Sequence, residues 1–388
     1  MRKPRFPYTN HIMTTALCLY SILILAVNAQ VFPSLLTRIG SNSVQQGLLL
    51  SAFFLLFPLS SAISGILADR IGKKAVLIFG ALFLALPFAV YASIQVLVIR
   101  VFGMLLFGLG MGTVESQASA LLTDVHPGRE RAVVNLSQLF FSIGAAGGPA
   151  AIALIFRVYP ELSLERFFWM VGAVTFSVSA GFLLMIPQKA KEASLERGGF
   201  GQVLRDPLGR ILLVAMFCYS AAEMGTAGWL VKYAEIHLLL PVTAAPLSLT
   251  LFWAGLGFSR ALLGFHLHGV RDTHILILAL LLTLSSRIAA FLIQRPVSSM
   301  VLFFFLGVGM GTVWPTLVAM IGRRFRRTSG SAVGLVIAAG GIATPIMHQV
   351  IGFLSRESVL GLRFTLLGLG VFTMVNLFIV LRMERLNR

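Results

Sequence analysis

The chain has 388 residues, 57% hydrophobic and only 12% charged, with a formal net charge of +17 and a mean hydropathy of +0.90. A soluble protein carries about twice that share of charge, so the composition excludes a water-soluble globular domain. The basic residues are scattered over short loops between apolar runs, which excludes a nucleic-acid binder built on a basic domain.

Crossing a hydrocarbon core of about 30 Å takes about 20 apolar residues as helix. Backbone groups in lipid must be satisfied within the segment, so such runs are helices. Twelve runs qualify, at roughly 12–37, 44–68, 75–94, 97–122, 132–156, 166–186, 209–237, 242–266, 273–293, 297–321, 329–354 and 359–382. The polar stretch 187–208 divides them into two sets of six. The expected fold is all-α and transmembrane, with an N-terminal six-helix bundle over 1–186, a cytoplasmic linker over 187–208 and a C-terminal bundle over 209–388. One set of alternating loops carries most of the lysine and arginine, including Arg70, Lys73, Lys74, Arg129, Arg131, Lys189, Lys191, Arg323 and Arg324. The other set holds only Arg38, Arg157, Arg166, Lys232, Arg295, Arg356 and Arg363. Positive loops face the cytoplasm, so both termini are expected inside a bacterial inner membrane. Cys18 and Cys218 fall within apolar runs and read as small core residues.

Between the second and third runs stands Gly65-Ile66-Leu67-Ala68-Asp69-Arg70-Ile71-Gly72-Lys73-Lys74. Its charges cannot sit in hydrocarbon, so they fix a tight hairpin at the membrane surface. Gly65 and Gly72, lacking a β-carbon, are expected to allow close approach there. Farther on, Gly108-Leu109-Gly110-Met111-Gly112-Thr113-Val114 recurs as Gly307-Val308-Gly309-Met310-Gly311-Thr312-Val313. The separation is 307 − 108 = 199, and Tyr20-Ser21 recurs as Tyr219-Ser220 at the same spacing. Two matches at one offset point to a duplicated six-helix unit. The glycines read as helix-packing positions, and Pro149 and Pro345 as bends.

Ionisable groups at membrane depth are costly unless they face a cavity or a partner. Glu115 in the fourth run and Glu223 in the seventh are the carboxylates well inside apolar sequence. Each suits proton handling or a polar solute; Glu223 could also coordinate sodium, and Glu115 could be a static partner. Asn28, Gln30, Asn135 and Gln138 could bond a hydroxylated solute or tie helices together. Trp229 and Tyr233 share one helix face, and Trp314 follows the second glycine run; such rings stack on sugar C–H faces or anchor at the interface. Arg260 and Arg287 are the cations inside apolar runs, Arg260 able to pair with a cavity carboxylate and Arg287 without an assigned role.

The charged hairpin resembles the signature loop of the major facilitator superfamily. Several further stretches resemble its fucose–proton symporter branch. They are Gly110 to Glu115, Asn135 to Gly144, Tyr219 to Glu223 with Trp229 to Tyr233, Trp314-Pro315-Thr316, and Gly340 to Pro345. The resemblance implies functional roles for Glu115 and Asn135, and gating by Gly65, Asp69, Arg70, Gly72 and Lys73. It places Ala29, flanked by Asn28 and Gln30, where that family carries a helix 1 aspartate. The expected activity is secondary transport of a small hydroxylated solute, a sugar, by alternating access. Coupling is expected to protons through Glu115 and Glu223, with sodium coupling or export of drugs or metabolites as rivals. No nucleotide loop, metal cluster or nucleophile–base pair is present in the sequence, so neither an enzyme nor a cofactor is expected. The expected partners are the solute, the coupling ion and the bilayer, with no nucleic acid, and the chain acts as a monomer.

Overall fold

The computed structural model describes residues 8–40, 42–127, 129–184, 200–266, 271–325 and 329–386. Every regular element among them is helical. In chain order they are α1 (Tyr8–Ser34), α2 (Leu36–Ile39), α3 (Ser43–Leu55), α4 (Phe57–Ile71), α5 (Lys73–Ser93), α6 (Leu97–Val125), α7 (Glu130–Val158), α8 (Leu164–Leu184) and α9 (Phe200–Arg205). There follow α10 (Pro207–Ile236), α11 (Pro246–His266), α12 (Asp272–Ile293), α13 (Pro296–Gly311), α14 (Val313–Arg324), α15 (Ser329–Leu354), α16 (Gly361–Gly368) and α17 (Gly370–Leu386).

Among the described residues, 11 helical stretches are long and apolar enough to cross a membrane, with α3–α4, α13–α14 and α16–α17 each forming one stretch. The 21-residue α11 completes the twelve runs read from the sequence. Helix is continuous through Pro149 and Pro345. The interruptions fall instead at Leu56, Thr312 and Leu369. Pro58 and Pro315 lie in the first turns of the helices that follow the first two. First-turn amides have no partner within the helix, so proline is accommodated there. Cys18 and Cys218 are free and buried.

The described residues group into two compact units. One takes in the described residues within 1–30, 52–148 and 159–194, and the other those within 31–51, 149–158 and 195–388. In the first, α5 packs on α6 and α8, and α4 on α6. In the second, α13 packs on α11 and α12, while α10 packs on α15 and α17.

The sequence repeat reappears in these contacts. A methyl group added at Gly108 would strike the Phe53 carbonyl oxygen, and one at Gly307 the Phe252 carbonyl oxygen. At Gly110 it would lie 2.7 Å from the Gly80 oxygen, and at Gly309 2.8 Å from the Ala279 oxygen. Gly112 faces Phe57 and Ser60 as Gly311 faces Leu256 and Ser259. Every partner in the second unit stands 199 positions beyond its counterpart, the same 307 − 108 = 199 that separates the glycine runs. The close packing of α3–α4 and α5 on α6 within the first unit is therefore repeated by that of α11 and α12 on α13 within the second, which small residues make possible.

Candidate transport site

α10 carries the densest set of candidate site residues. It begins at Pro207, with Asp206 as its cap accepting a 2.8 Å bond from the Gly209 amide. Arg324 bonds the same carboxylate at 2.7 Å and holds it below the ordinary carboxylate range. Four turns farther on, the Tyr219 hydroxyl donates to Glu223 at 2.5 Å. The spacing of four places both on one helix face, and both are buried. Arg260 of α11 lies within electrostatic reach of both Tyr219 and Glu223. It also donates to the Gly311 carbonyl at 3.4 Å. A phenol and a carboxylate thus form a short bonded chain in an apolar bundle, with a cation close by. Such a chain can bind hydroxyls and change its proton content.

Arg287 of α12 was given no role from sequence, yet it is fully buried. Its guanidinium donates to the Leu366 carbonyl at 2.8 Å and the Thr226 hydroxyl at 2.9 Å. It ties α12 to α10 and α16.

Nearer the C-terminal end of α10, Trp229 and Tyr233 are fully buried. Tyr233 packs on Phe291 and His237, with ring centroids at 4.7 and 5.1 Å, so it is a core ring and not an interfacial anchor. Lys232 corrects the sequence reading. It is no loop charge but lies inside α10, 7% exposed. Its ammonium donates to Gln46 at 2.5 Å and Ser43 at 2.8 Å, and stands 5.2 Å from the Trp229 ring. One turn on, Thr37 donates to Glu235 at 2.5 Å. Beside them a methyl at Gly47 would lie 2.6 Å from the His348 carbonyl oxygen. Thr37, Ser43 and Gln46 are thereby bonded to α10, while Gly47 of α3 closes on α15, all within the second unit.

In the first unit, Asn28 is buried and donates to Thr175 at 2.8 Å, tying α1 to α8. Gln30 is buried, while Glu115 and Gln138 are half-buried. Next to Glu115 runs a hydroxyl–amide chain, Ser116 to Ser64 at 2.9 Å and Gln117 to Ser64 at 3.1 Å. Trp314 is half-buried in α14 of the second unit. The side chains of Asn135 and Asp69 lie outside the described residues.

The sequence profile described as Major Facilitator Superfamily matches residues 14–269. The chain belongs to this superfamily. It is 26% identical over 306 residues to a protein TsgA homolog of Erwinia tasmaniensis, covering 74% of this chain and 72% of that one. It is 24% identical over 307 residues to the uncharacterized MFS-type transporter YfkL of Bacillus subtilis, covering 77% and 76%. Among solved structures, a bacterial homologue of the human lysosomal transporter Spinster, inward-facing and unoccupied, has a TM-score of 0.81 at 14% identity, covering 98% of each chain. The E. coli fucose:proton symporter FucP has a TM-score of 0.64 at 19% identity, covering 96% of this chain and 98% of its own. These likenesses give the fold; YfkL, the Spinster homologue and FucP are transporters and not enzymes.

In this superfamily member the charged hairpin is tighter than its sequence suggests. α4 runs to Ile71 and α5 starts at Lys73, so Asp69 and Arg70 belong to the last helical turn and Gly72 alone joins the helices. Gly72 has φ 88° and closes α4 through a 2.9 Å bond to the Ala68 carbonyl. That left-handed backbone is why glycine stands there. Close approach is not the reason for either glycine, since no described atom lies within 4 Å of a methyl added at Gly65 or Gly72. Arg70 is exposed, and Lys73 pairs with Asp124 at the end of α6. A cavity of about 430 Å³ lies apart from all these groups, between α5 and α8 of the first unit, with a wholly apolar lining.

Proposed function

We propose that this superfamily member is a secondary active transporter that moves a small hydroxylated solute of the sugar class by alternating access, coupled to protons. The observation that carries the reading is the buried Tyr219–Glu223 hydrogen bond with Arg260 beside it. A carboxylate kept at membrane depth by a phenol and a guanidinium is costly to maintain for packing alone. It offers acceptor oxygens to solute hydroxyls and a place for a proton. Buried Trp229 supplies an apolar face close by on α10, and Trp314 of α14 a second ring. Glu115 is assigned proton exchange, and Asn28, Gln30, Asn135 and Gln138 polar contacts to the solute.

Relatives of the same fold have been captured inward-facing and in an outward conformation, which supports alternation. The links from Lys232 to Gln46 and from Thr37 to Glu235 suit a latch that must break for the solute to pass. In the reading the chain works as a monomer of two six-helix halves, 1–186 and 209–388, with both termini and the linker 187–208 cytoplasmic. Gly65, Asp69, Arg70, Gly72 and Lys73 form the gating hairpin. The orientation rests on the lysine and arginine loops.

Proteoliposomes holding the purified chain test this directly. Labelled sugars should accumulate when the lumen is made alkaline and not when a sodium gradient replaces the pH gradient. Accumulation driven by sodium alone would replace the coupling ion. Sugar flux absent under both gradients, with apolar compounds expelled instead, would establish the exporter.

A further inference from the structure

We propose that the groove between α5 and α8 binds an anionic phospholipid, one acyl chain lying in the groove and the phosphate resting on Arg166. The cavity of about 430 Å³ is walled by Phe83 and Leu86 of α5 and by Trp169 and Phe176 of α8, above a floor of small residues such as Ala89 and Ala173. Trp169 and Phe176 are 54% and 52% exposed, so the groove opens outward from the first unit. Its depth comes from Gly172, where a methyl would stand 3.3 Å from the Phe88 β-carbon. The helices close together at that level while the aromatic rings rise on either side. A smooth helix pair would offer lipid only a convex face; this one offers a slot.

The length of the groove suits a stretch of acyl chain. Trp169 to Phe176 spans seven residues, about 10 Å of helix, or roughly a third of the hydrocarbon thickness. Arg166 precedes Trp169 by three positions and so lies on the same helix face, about one turn nearer the helix start. It is exposed. Glu165 is rotated about 100° away from that face. An apolar slot with a guanidinium at its mouth is complementary to one amphiphile, an acyl chain carrying a phosphate. A neutral hydrocarbon would leave Arg166 unused, and a polar solute would find the Trp169 indole as its one side-chain hydrogen-bond partner among the lining residues. With the lysine- and arginine-rich loops inside, the lipid belongs to the outer leaflet.

Native mass spectrometry of the full chain in detergent, titrated with phosphatidylglycerol and with phosphatidylcholine, tests the site. The parent should hold phosphatidylglycerol in preference. Arg166→Gln should reduce that preference roughly fivefold, and Ala173→Phe, which fills the slot from a lipid-facing position, should remove the tight component for both lipids. Equal binding by all three chains would overturn the proposal. A phosphatidylglycerol bearing a photoreactive acyl chain gives a test on the unaltered protein. Adducts should concentrate on residues 82–89 and 169–176. Adducts spread evenly over the other exposed helix faces, or a second copy of the chain cross-linked through the slot, would also overturn it.

Discussion

Lys73 of α5 and Asp124 of α6 form an ion pair whose counterpart in the other unit carries the opposite signs. There Asp272 at the start of α12 pairs with Arg323 at the end of α14. Both members are displaced by one offset, 272 − 73 = 199 and 323 − 124 = 199. What the duplicated unit keeps is an attraction between these helix ends, with the choice of which end is positive left open.

Sign should therefore be exchangeable. Asp124→Lys sets two ammonium groups against each other and should lower stability by up to about 1 kcal/mol, as befits a partly exposed pair. Adding Lys73→Asp to that variant should recover most of the loss. Thermal denaturation of the four chains of this cycle measures the coupling directly. No recovery in the double variant would show that the pair is not an energetic unit.

The packing glycines divide into two groups with opposite expectations. Gly110→Ala would push a methyl to 2.5 Å from the Leu84 amide nitrogen, and Gly309→Ala to 2.7 Å from the Thr283 nitrogen. Each should cost about 1–3 kcal/mol, because backbone on the facing helix cannot retreat as a side chain can. Gly147→Ala and Gly334→Ala meet no described atom within 4 Å and should leave the melting temperature unchanged or slightly raised.

Transport variants separate binding from coupling. Glu223→Gln should abolish accumulation and weaken solute binding together. Tyr219→Phe removes one hydrogen bond to a carboxylate and should weaken binding by about 1.5–3 kcal/mol. Glu115→Gln should stop proton-driven accumulation yet preserve part of the exchange of bound solute. Proteoliposome uptake, counterflow and binding on the same preparations distinguish these outcomes, and unchanged accumulation in Glu115→Gln at several pH values would remove that residue from the mechanism.

Asp206 makes a pH prediction with a defined sign. Its folded-state titration lies below the ordinary carboxylate range because Arg324 bonds it. The stabilisation is thus present at neutral pH and is withdrawn as acid protonates the folded protein. Asp206→Ala should cost about 1 kcal/mol at pH 7 through the lost cap. The gap to the parent should narrow as the medium is acidified through that titration. A gap that stays constant with pH would mean that the carboxylate's charge plays no part.

The helical runs were legible because lipid demands long uninterrupted apolar stretches, and the duplication because Gly110 and Gly309 each face backbone that leaves no room for a side chain. Charge at depth was harder to place. Lys232 stands a few residues from the end of α10, where apolar content alone does not separate a loop cation from one drawn inward by Gln46 and Ser43. Its partners lie more than 180 positions away, and nothing local announces them. Arg287 escaped for a related reason. Two of its acceptors are the Leu366 and Ala222 carbonyls, and a backbone oxygen leaves no mark in a sequence. Glu223 was found because a carboxylate in apolar surroundings is conspicuous by itself; the Tyr219 hydroxyl that bonds it from four residues upstream came only with the structure.

Gly72 gives the hairpin between α4 and α5 a joint of one residue. A longer connection would soak up a tilt of either helix as slack. Here a swing of α4 must be carried into α5 as a lever arm carries torque, and through the Lys73 pair onward to α6.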